Sequence, residues 1–367
     1  MRFSAQRDVL NTAAQITQRA VAQRSPMPVL SCLLFETSGN TLTVTATDLQ
    51  FGIRCTVPVN TMEEGAAALP YRHVSSLFSR LPEMEIDVRS DPSDNTIIFT
   101  YGESELVLNG YPAEEFPNFP VLPQHAVLKI KQSTFKDMLK KVLFAVASDE
   151  HRPVFTGVHM QVNEAGTLTL VATDTRKLAV CEAKLELPAD RVINVIVPGK
   201  TLNELYKLIE AVEAEIEIYI TENQVFFVIN NICIMSRLIA GKFPDYKIVL
   251  PSRYVCEIKA AVNDLIEAAE RVSLLVDPKR NVFNIHFQNN SLIFYFFTGT
   301  GRIREEITAE LSGEPIDVGF NVRFFLELLR SMDSEEVIIQ LSGRDSPAMF
   351  KPAGDDSYFS ILVPAIA

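Results

Sequence analysis

Apolar residues along the chain recur either every three or four positions, typical of amphipathic helices, or at every second position, typical of strands. Three segments each predict one helix with a single buried stripe. The stripes consist of Leu10, Ala13, Ala14, Ile16, Thr17, Ala20 and Val21, then Phe135, Met138, Leu139, Val142, Leu143 and Val146, then Val262, Leu265, Ile266 and Ala269. Further helices are predicted over Val74–Leu81 and Leu202–Ile209 and within Asp317–Arg330, so the chain alternates helix, strands, helix, strands.

Acidic residues take alternate positions in the strands that follow two of these helices. The two sets are Glu83, Glu85 and Asp87, and Glu213, Glu215 and Glu217. Because side chains alternate between the two faces of a strand, this pattern places the carboxylates on one face and the apolar residues on the other. It predicts sheets with an acidic outer surface.

One stretch of sequence occurs twice. Thr41–Asp48 (TLTVTATD) returns as Thr167–Asp174 (TLTLVATD), 126 residues later (48 to 174) in a chain of 367. That period is the length of a domain, whereas solenoid repeats span roughly 20–50 residues. Phe116-Pro117 and Phe243-Pro244 repeat at nearly the same distance, and a fainter third copy includes a strand at Asn290–Thr298 without the Thr-Asp pair. The sequence therefore predicts an α+β protein of three tandem copies of one domain, at residues 1–124, 125–252 and 253–367.

Composition limits the class of protein. With 47% hydrophobic residues, the chain is typical of soluble globular proteins. It has no apolar run near the roughly 18 residues of a membrane span, and Met1–Arg7 does not begin like a signal peptide. We expect a cytoplasmic protein without a membrane partner. Its five cysteines form no Cys-x-x-Cys pair and are expected to be buried free thiols.

The distribution of charge leaves two interpretations open. A formal net charge of −12 at pH 7 disfavours nucleic acid if it is spread evenly, since phosphate binding requires positive charge. It is uneven, however, because Lys136, Lys140 and Lys141 share one predicted helix, while the helix near 262–272 is acidic. The basic residues are either solvated helix faces or a surface that the molecule offers to DNA.

Motifs of catalysis and metal binding are missing from the sequence. There is no phosphate-binding Gly-x-x-x-x-Gly-Lys-Ser/Thr loop, no His-Glu-x-x-His and no Gly-x-Ser-x-Gly, and the five histidines form no ligand cluster. Asp48 and Asp174 each follow a threonine at a strand end, where aspartate commonly accepts hydrogen bonds from turn amides. A turn role is favoured over a catalytic pair. We expect no enzyme activity, no cofactor and no metal.

A set of short motifs, in order, carries a family resemblance. The motifs are Val171–Asp174, Lys177–Val180, Val195–Pro198, Gly241–Tyr246, Val249–Pro251, Gly319–Val322 and Val363-Pro364. Together with the three-copy layout, they resemble the bacterial β sliding clamp family, the processivity subunits of DNA polymerase III, over the whole chain. The resemblance implies a head-to-tail homodimer that closes into a ring of six domains around duplex DNA. Helices would line the ring and sheets would form its outside.

The resemblance also implies partners and sites. The partners would be double-stranded DNA bound without sequence preference, a clamp loader, the replicative DNA polymerase and other proteins with a clamp-binding motif. By position, the DNA-binding residues would be Arg24, Arg72, His73, Arg80, Arg152, Lys200 and Arg280. Asp149 and Glu150 share the loop of Arg152, where the family often has neutral residues, so this DNA contact is the least consistent with the family pattern.

In this family a cleft between the second and third domains takes a short linear peptide from each partner protein. The matching positions are Phe155, Thr173, Thr175, Arg176, Leu178, Pro244, Ile248, Val249, Phe324, Pro347, Ile361, Leu362, Val363, Pro364 and Ala365. Thr175-Arg176-Lys177 departs from the Gly-His-Arg that is frequent in the family, and the tail ends Ala-Ile-Ala rather than Met-Arg-Leu. The resemblance implies that the apolar anchors keep the cleft and that peptide preference shifts.

For the dimer, the resemblance implies that the strand near 103–108 of one chain pairs with the strand near 298–306 of the other. The residues expected there are Glu103, Glu105, Leu106, Leu108, Leu274, Arg302 and Arg304, with acidic residues facing basic ones. Two other classes remain open alongside the clamp. One is a scaffold of repeated α+β domains that binds proteins without DNA, and the other is a hydrolase that uses Asp48 or Asp174.

Overall fold

The computed structural model of the protein describes residues 1–91, 94–149, 151–186, 192–251, 253–276, 281–288, 290–299 and 301–365. Six α-helices occur in this part of the chain, each following a strand: α1 (Arg7–Thr17), α2 (Tyr71–Arg80), α3 (Gln132–Leu143), α4 (Gly199–Leu208), α5 (Val262–Ser273) and α6 (Val322–Arg330). Each lies within or beside a segment whose periodicity predicts a helix. None of the described helices is long and apolar enough to cross a membrane.

Most of the remaining described residues form strands. The strands of the first third are β1 (Arg2–Gln6), β2 (Cys32–Ser38), β3 (Thr41–Thr47), β4 (Phe51–Pro58), β5 (Asn60–Glu63), β6 (Gly65–Pro70), β7 (Glu85–Asp91), β8 (Thr96–Tyr101) and β9 (Ser104–Asn109). Those of the middle third are β10 (Leu128–Lys131), β11 (Gly157–Val162), β12 (Thr167–Thr173), β13 (Lys177–Lys184), β14 (Ile193–Pro198), β15 (Glu215–Ile220), β16 (Gln224–Ile229) and β17 (Ile232–Arg237). Those of the last third are β18 (Cys256–Ala261), β19 (Val282–Gln288), β20 (Ser291–Thr298), β21 (Gly301–Thr308), β22 (Glu310–Gly313), β23 (Ile316–Asn321), β24 (Glu336–Leu341), β25 (Ala348–Pro352) and β26 (Tyr358–Leu362).

The chain divides into two compact units. The first unit consists of residues 1–132 and 207–238, and the second of residues 133–206 and 239–367. The first unit contains a five-stranded sheet in the order β5-β1-β7-β8-β9 and an eight-stranded sheet in the order β10-β15-β16-β17-β4-β3-β2-β6. The second contains a nine-stranded sheet in the order β14-β11-β12-β13-β26-β25-β24-β18-β22 and a four-stranded sheet in the order β21-β20-β19-β23.

Helices cover the apolar faces of these sheets. In the first unit α1 packs on α2 and on β4, with Leu10, Ala13 and Ala14 buried, and Phe78 of α2 meets Phe99 edge to face at 5.9 Å between ring centroids. In the second unit α5 packs on α6, where the Phe325 ring lies 5.4 Å from Phe283. Asn321 begins α6 by accepting a hydrogen bond from the Phe324 N–H at 3.2 Å.

The first helix ends earlier than its apolar stripe. The stripe runs to Val21, but α1 ends at Thr17 and continues as a 3-10 turn over Gln18–Ala20. The Thr17 hydroxyl donates to the carbonyl of Ala13 at 2.8 Å, a local bond that competes with the helical ladder and bends helices. Thr17 and Ala20 are nevertheless buried, so the stripe predicts burial correctly and the helix end incorrectly.

The Thr-Asp pairs form the same turn twice. Asp48 Oδ1 accepts from the N–H groups of Gln50 and Phe51, and Asp174 Oδ1 accepts from those of Arg176 and Lys177, at 2.7–3.0 Å. Both turns hold a non-glycine residue in the left-handed region, Leu49 at φ 74° in one and Thr175 at φ 75° in the other. The predicted structural role of the two aspartates is thus confirmed.

Candidate partner-binding cleft, basic residues and strand edges

An apolar cleft opens in the second unit beside β13 and β26. Its volume is about 220 Å³, and it is lined by Phe155, Thr173, Thr175, Arg176, Lys177, Leu178, Phe243, Pro244, Asp245, Tyr246, Val249, Pro347, Ile361 and Val363. We call this cavity the apolar cleft. Most residues that the sequence placed at a peptide site lie together here, because β13 pairs with β26 and brings Leu178 opposite Ile361.

Other residues predicted at this site lie outside the cavity lining. Leu362 is fully buried, whereas Ile248 is 81% exposed. Phe324, on α6, lies with its ring 4.7 Å from the Lys177 ammonium. The tail beyond the cleft turns toward β23, where the Ala365 N–H donates to the carbonyl of Gly319 at 2.8 Å, and Pro364 precedes this contact.

Stacked rings form one wall of the apolar cleft. Phe155 and Phe243 meet edge to face at 6.1 Å, and the His159 imidazole stacks on Phe243 at 5.0 Å with an interplanar angle of 12°. His159 Nε2 lies 2.7 Å from Asn194 Oδ1, which fixes the ring plane. Burial lowers the pKa of His159, so it stays a neutral, apolar support for Phe243 at neutral pH.

Lys177 holds the base of the apolar cleft in place. Its side chain is 6% exposed, and its Nζ lies 2.6 Å from Glu327 Oε2 and 3.9 Å from Asp174 Oδ2. The ammonium also donates to the carbonyl of Phe144 at 2.5 Å. A buried cation satisfied from three sides ties β13 to α6.

Sequence reasoning missed four residues of the lining: Lys177, Phe243, Asp245 and Tyr246. Phe243 and Tyr246 carry a signal, since Phe-Pro-Asp-Tyr at 243–246 repeats Phe-Pro-Asn-Phe at 116–119. Lys177 stands in the Thr175-Arg176-Lys177 segment compared with the family, but a lysine beginning a strand gives no indication that its ammonium is buried. Burial raises the pKa of the Tyr246 hydroxyl, which therefore remains protonated in the cleft.

The residues predicted to contact DNA are spread over helix starts and loops. Arg24, Arg72, His73, Arg80, Arg152 and Lys200 are all exposed, and Arg280 lies outside the described residues. Arg72 and Lys200 occupy equivalent positions, each two residues after the proline that precedes a helix (Pro70 for α2, Pro198 for α4). Beside each of these helix starts is a groove, of about 220 Å³ at Arg72 and about 570 Å³ at Lys200.

Many of the other helical cations are neutralised by neighbouring carboxylates. Lys141 is buried between Asp137 at 2.9 Å and Asp355 at 3.5 Å, and Lys140 pairs with Asp333. Arg323 pairs with Glu327 and Arg330 with Glu270 in the same way. The basic character of α3 in the sequence therefore overstates the charge that this helix presents to solvent.

Two strand edges have exposed polar and apolar residues. The residues predicted at the dimer contact lie at these edges, with Glu105, Leu106 and Leu108 on β9, Arg302 and Arg304 on β21, and Glu103 in the turn before β9. Both strands end their sheets in the strand order. Val107 is 50%, Phe297 64% and Leu274 81% exposed, so large apolar side chains at and near these edges face solvent.

The described residues contain no group of three or more His, Cys, Asp or Glu arranged to hold a metal ion. The cysteines are free; Cys32, Cys55, Cys181 and Cys256 are buried and Cys233 is partly buried. Burial raises the pKa of Cys55 to about 11 and of Cys181 to about 12, so these thiols stay protonated and unreactive.

Comparison with known proteins agrees with the three-copy sequence. Three family models match in succession: DNA polymerase III beta subunit, N-terminal domain, at residues 1–120, its central domain at 129–245, and its C-terminal domain at 247–365. Curated relatives include the beta sliding clamps of Bacillus subtilis strain 168, 29% identical, and Staphylococcus epidermidis RP62A, 30% identical. In both comparisons 99% of each chain is covered.

Solved structures give the same result. The DNA polymerase sliding clamp of Bacillus subtilis is 28% identical and superimposes with a TM-score of 0.96 over 100% of this chain and 99% of that chain. The DNA polymerase III subunit beta of Pseudomonas aeruginosa is 28% identical, with a TM-score of 0.93 over 100% of both chains.

The fold is that of a DNA clamp protein built from three tandem α+β domains. The chain belongs to the bacterial beta sliding clamp family, whose members are non-catalytic processivity subunits of DNA polymerase III. The hydrolase alternative is therefore excluded, and the repeated Thr-Asp turns serve the fold.

Proposed function

We propose that the chain closes around duplex DNA as a head-to-tail homodimer in the cytoplasm and tethers the replicative polymerase and other partner proteins to the DNA. Its domains would be residues 1–124, 125–252 and 253–367. The observation that carries the proposal is a pair of complementary strand edges. The same kind of strand pairing occurs twice within the chain. The first copy and the third copy each have one further strand edge that could form a third such pair.

The two contacts within the chain follow one pattern. In the first unit β4 pairs antiparallel with β17, and in the second unit β13 pairs antiparallel with β26. β4 and β13 are the strands that follow the two Thr-Asp turns, and β17 and β26 close the last hairpins of the second and third copies. In the third copy the strand equivalent to β4 and β13 is β21, and in the first copy the strand equivalent to β17 and β26 is β9. Both β21 and β9 are edge strands of their sheets.

Head-to-tail pairing of β21 with β9 of a second copy would repeat the internal contact. A heterologous contact of this kind makes a closed ring when the rotation per domain divides the circle, and an open filament otherwise. It would also join the four-stranded and five-stranded sheets into one of nine strands, the strand number of the largest sheet within the chain. No edge of β9 or β21 would then remain exposed to aggregation.

The internal register indicates which residues would meet. Ile232 lies opposite Cys55 in the β17–β4 pair. The β8–β9 and β16–β17 hairpins have turns of the same length, so Ser104 is the counterpart of Ile232. The β2–β3 and β19–β20 hairpins also match, and the pairing of β20 with β21 then makes Glu305 the counterpart of Cys55. The transferred register places Ser104 opposite Glu305, Glu105 opposite Arg304 and Leu106 opposite Ile303. Opposite charges thus face each other at the seam, with apolar residues beside them, although exposed ion pairs contribute little by themselves.

DNA binding is proposed for the exposed cations Arg24, Arg72, His73, Arg80, Arg152 and Lys200. Their positions on helix starts and loops suit phosphate contacts, which carry no sequence information and permit sliding. The acidic residues predicted for the outer sheet surface are partly neutralised, because Glu213, just before β15, pairs with Lys131 and Glu217 of β15 pairs with Lys129. The proposed orientation therefore rests on the exposed cations.

Neutralising Arg24, Arg72 and Lys200 with glutamine is expected to lower the affinity for a short duplex at low salt. Each lost phosphate contact should reduce the slope of log affinity against log salt by about 1. Fluorescence anisotropy at several salt concentrations measures this slope. Lys129→Gln removes one positive charge, from a cation paired with Glu217 at 2.5 Å, and it serves as the control for charge removed away from the proposed contacts. An equal slope for the triple variant and the control would show that these residues do not contact phosphates.

The apolar cleft is proposed to bind the short peptide through which partners dock. Its apolar lining suits aliphatic and aromatic side chains, and Arg176 and Asp245 at its rim supply polar groups that fix an orientation. The same cleft could then serve the polymerase, the clamp loader and other partners in turn.

Loading onto circular DNA tests the proposed ring. The protein is loaded with its clamp loader onto nicked circular DNA, and the DNA is then linearised. A ring that encircles DNA stays bound in high salt while the DNA is circular, and it runs off once free ends exist. A protein scaffold that never loads, or a protein that stays on linear DNA as it does on the circle, contradicts the proposal.

A further inference from the structure

The first unit contains a junction built like the one beneath the apolar cleft. Met235 of β17 lies opposite Gly52 of β4, as Ile361 of β26 lies opposite Leu178 of β13. Gly52 and Leu178 are 126 residues apart, the period of the repeat. Each is the first residue after its Thr-Asp turn that pairs with the preceding strand, Gly52 with Thr47 and Leu178 with Thr173. The two junctions are therefore equivalent in backbone and differ in side chains.

An aromatic residue of the chain occupies the first of these junctions. Phe119 and Tyr246 hold the same place in the Phe-Pro-Asn-Phe and Phe-Pro-Asp-Tyr segments. Phe119 packs against the buried cluster of Tyr219, Phe226 and Met235. A Cβ on Gly52 would lie 2.9 Å from Cε2 of the Phe119 ring, closer than carbon atoms approach in proteins. Only glycine at position 52 leaves room for the ring in this place.

A cation from the same strand also contacts the Phe119 ring. The guanidinium carbon of Arg54 lies 4.4 Å from the ring centroid, within the range of a cation–π contact. In the second unit the equivalent of Arg54 is Val180, a buried member of the apolar cluster under the cleft. Position 180 therefore has no cation that could contact a ring as Arg54 does.

Two of the differences between the copies bear directly on the ring, Gly52 against Leu178 and Arg54 against Val180. Leu178 has a branched side chain where Gly52 has none, and it is buried at 3% exposure. Tyr246 packs against the buried cluster that contains Leu178 and Val180, and it lines a cavity of about 220 Å³. The filled junction of the first unit thus has Gly52 and Arg54 where the open junction of the second unit has Leu178 and Val180.

We propose that the β4–β17 junction is a second copy of the apolar cleft, which the chain keeps closed with its own Phe119. The inference rests on the proposed role of the apolar cleft in peptide docking. Its occupant is an aromatic side chain, and removing that side chain should open a second site of the same chemistry.

Methionine methyl signals report on the two junctions separately. Met235 belongs to the cluster under Phe119 and Met349 to the cluster under the apolar cleft. The protein is labelled with 13C at its methionine methyl groups, and toluene, the side-chain analogue of phenylalanine, is titrated. In the unsubstituted protein we expect the Met349 signal to shift and the Met235 signal to stay. In Phe119→Ala, both signals should shift, with saturable curves.

Controls separate a specific opening from a general loosening. Val121 lies in the same segment and is 90% exposed, so Val121→Ala should leave the Met235 signal insensitive to toluene. Should Phe119→Ala unfold the first unit, Phe119→Leu, which leaves part of the ring's place empty, should give a smaller Met235 shift. A Met235 signal that responds equally in the unsubstituted protein, or that fails to respond in folded Phe119→Ala, would overturn the proposal.

The converse substitution tests the role of position 178. In Leu178→Gly, Tyr246 gains the place that Phe119 has over Gly52, and the Met349 response to toluene should fall. Leu178→Gly combined with Tyr246→Ala should restore it. An unchanged Met349 response in Leu178→Gly, or no restoration in the double variant, would contradict the argument. These signals do not depend on partner binding, so a failure of the apolar cleft to bind partner peptides would be detected separately.

Discussion

Replacing Val107 by proline is expected to leave each chain folded and to weaken the proposed dimer strongly. In an antiparallel strand, the N–H and C=O groups of successive residues point to opposite sides. Gly110, beside the end of β9, donates its N–H to the carbonyl of Asn95 at 2.8 Å, on the side of β8. The N–H groups of Leu108 and Leu106 point the same way, and that of Val107 points to the free edge.

The internal junction supports this choice of residue. At the end of β17, the Arg237 N–H donates to the carbonyl of Gln50, the residue before β4, at 2.8 Å. The carbonyl of Asn231, the residue before β17, accepts from Thr56 N–H of β4 at 3.0 Å. By the hairpin equivalence, position 109 at the end of β9 and position 103 just before it face a partner, and Val107 belongs to the same alternation. Proline is tolerated on an edge strand when its missing N–H faces solvent, but it removes a bond when that edge is paired.

The expected effect is large because a ring has two seams. Losing one ladder bond and leaving the partner's carbonyl buried without a donor costs about 1–3 kcal/mol at each seam. Two seams raise the dimer dissociation constant by at least roughly thirtyfold, since about 1.4 kcal/mol corresponds to a tenfold change. Sedimentation velocity over a range of protein concentrations measures this shift.

Val107→Ala is the matched control, because it shortens the side chain and keeps the N–H. It should dimerise nearly as the unsubstituted protein does, and the urea midpoint of Val107→Pro should match that of Val107→Ala under monomeric conditions. A Val107→Pro protein that still dimerises would place the seam elsewhere. Equal loss in both variants would show that side-chain packing, rather than strand pairing, holds the dimer.

The parts of the fold that follow from local pattern were predictable from the sequence. The Thr-Asp turns repeat because each aspartate satisfies two backbone amides, a role that depends on neighbours three residues away. The apolar stripes of α1, α3 and α5 mark buried faces for the same reason, as their period is that of the helix. Such features need no knowledge of distant contacts.

The parts that depend on distant contacts were not predictable. Lys177 begins a strand, and only the folded chain brings Glu327 to its ammonium from 150 residues away. Phe119 and Tyr246 look interchangeable in the sequence, yet Phe119 lies against Gly52 and Arg54, whereas Tyr246 lines the apolar cleft. Lys141 looks like a solvated cation of a basic helix and proves buried between two carboxylates.

Lys177→Met is expected to destabilise the second unit strongly. The ammonium meets Glu327 at 2.6 Å and the Phe144 carbonyl at 2.5 Å, and its side chain is 6% exposed. Removing one partner of a buried pair costs about 3–5 kcal/mol, because the other charge stays buried without compensation. The expected loss is below this range, about 2–3 kcal/mol, since Glu327 is 27% exposed and keeps Arg323 at 2.8 Å.

A double variant separates the pair from its surroundings. Lys177→Met combined with Glu327→Leu removes both charges and leaves apolar groups of similar volume, an exchange that is often neutral for buried pairs. Its loss of stability should be smaller than the sum of the two single losses by about 1–3 kcal/mol, the coupling expected of residues in contact. Urea unfolding followed by circular dichroism at pH 7 measures all three variants.

Lys184→Met is the control for the lysine itself, since Lys184 ends the same strand and is exposed. It should change the free energy of unfolding by less than about 0.5 kcal/mol, as expected of a surface site. If Lys177→Met is as mild as Lys184→Met, or if the losses of Lys177→Met and Glu327→Leu simply add, the pair does not hold β13 to α6. The base of the apolar cleft would then depend on the apolar contacts of Leu178 and Ile361 alone.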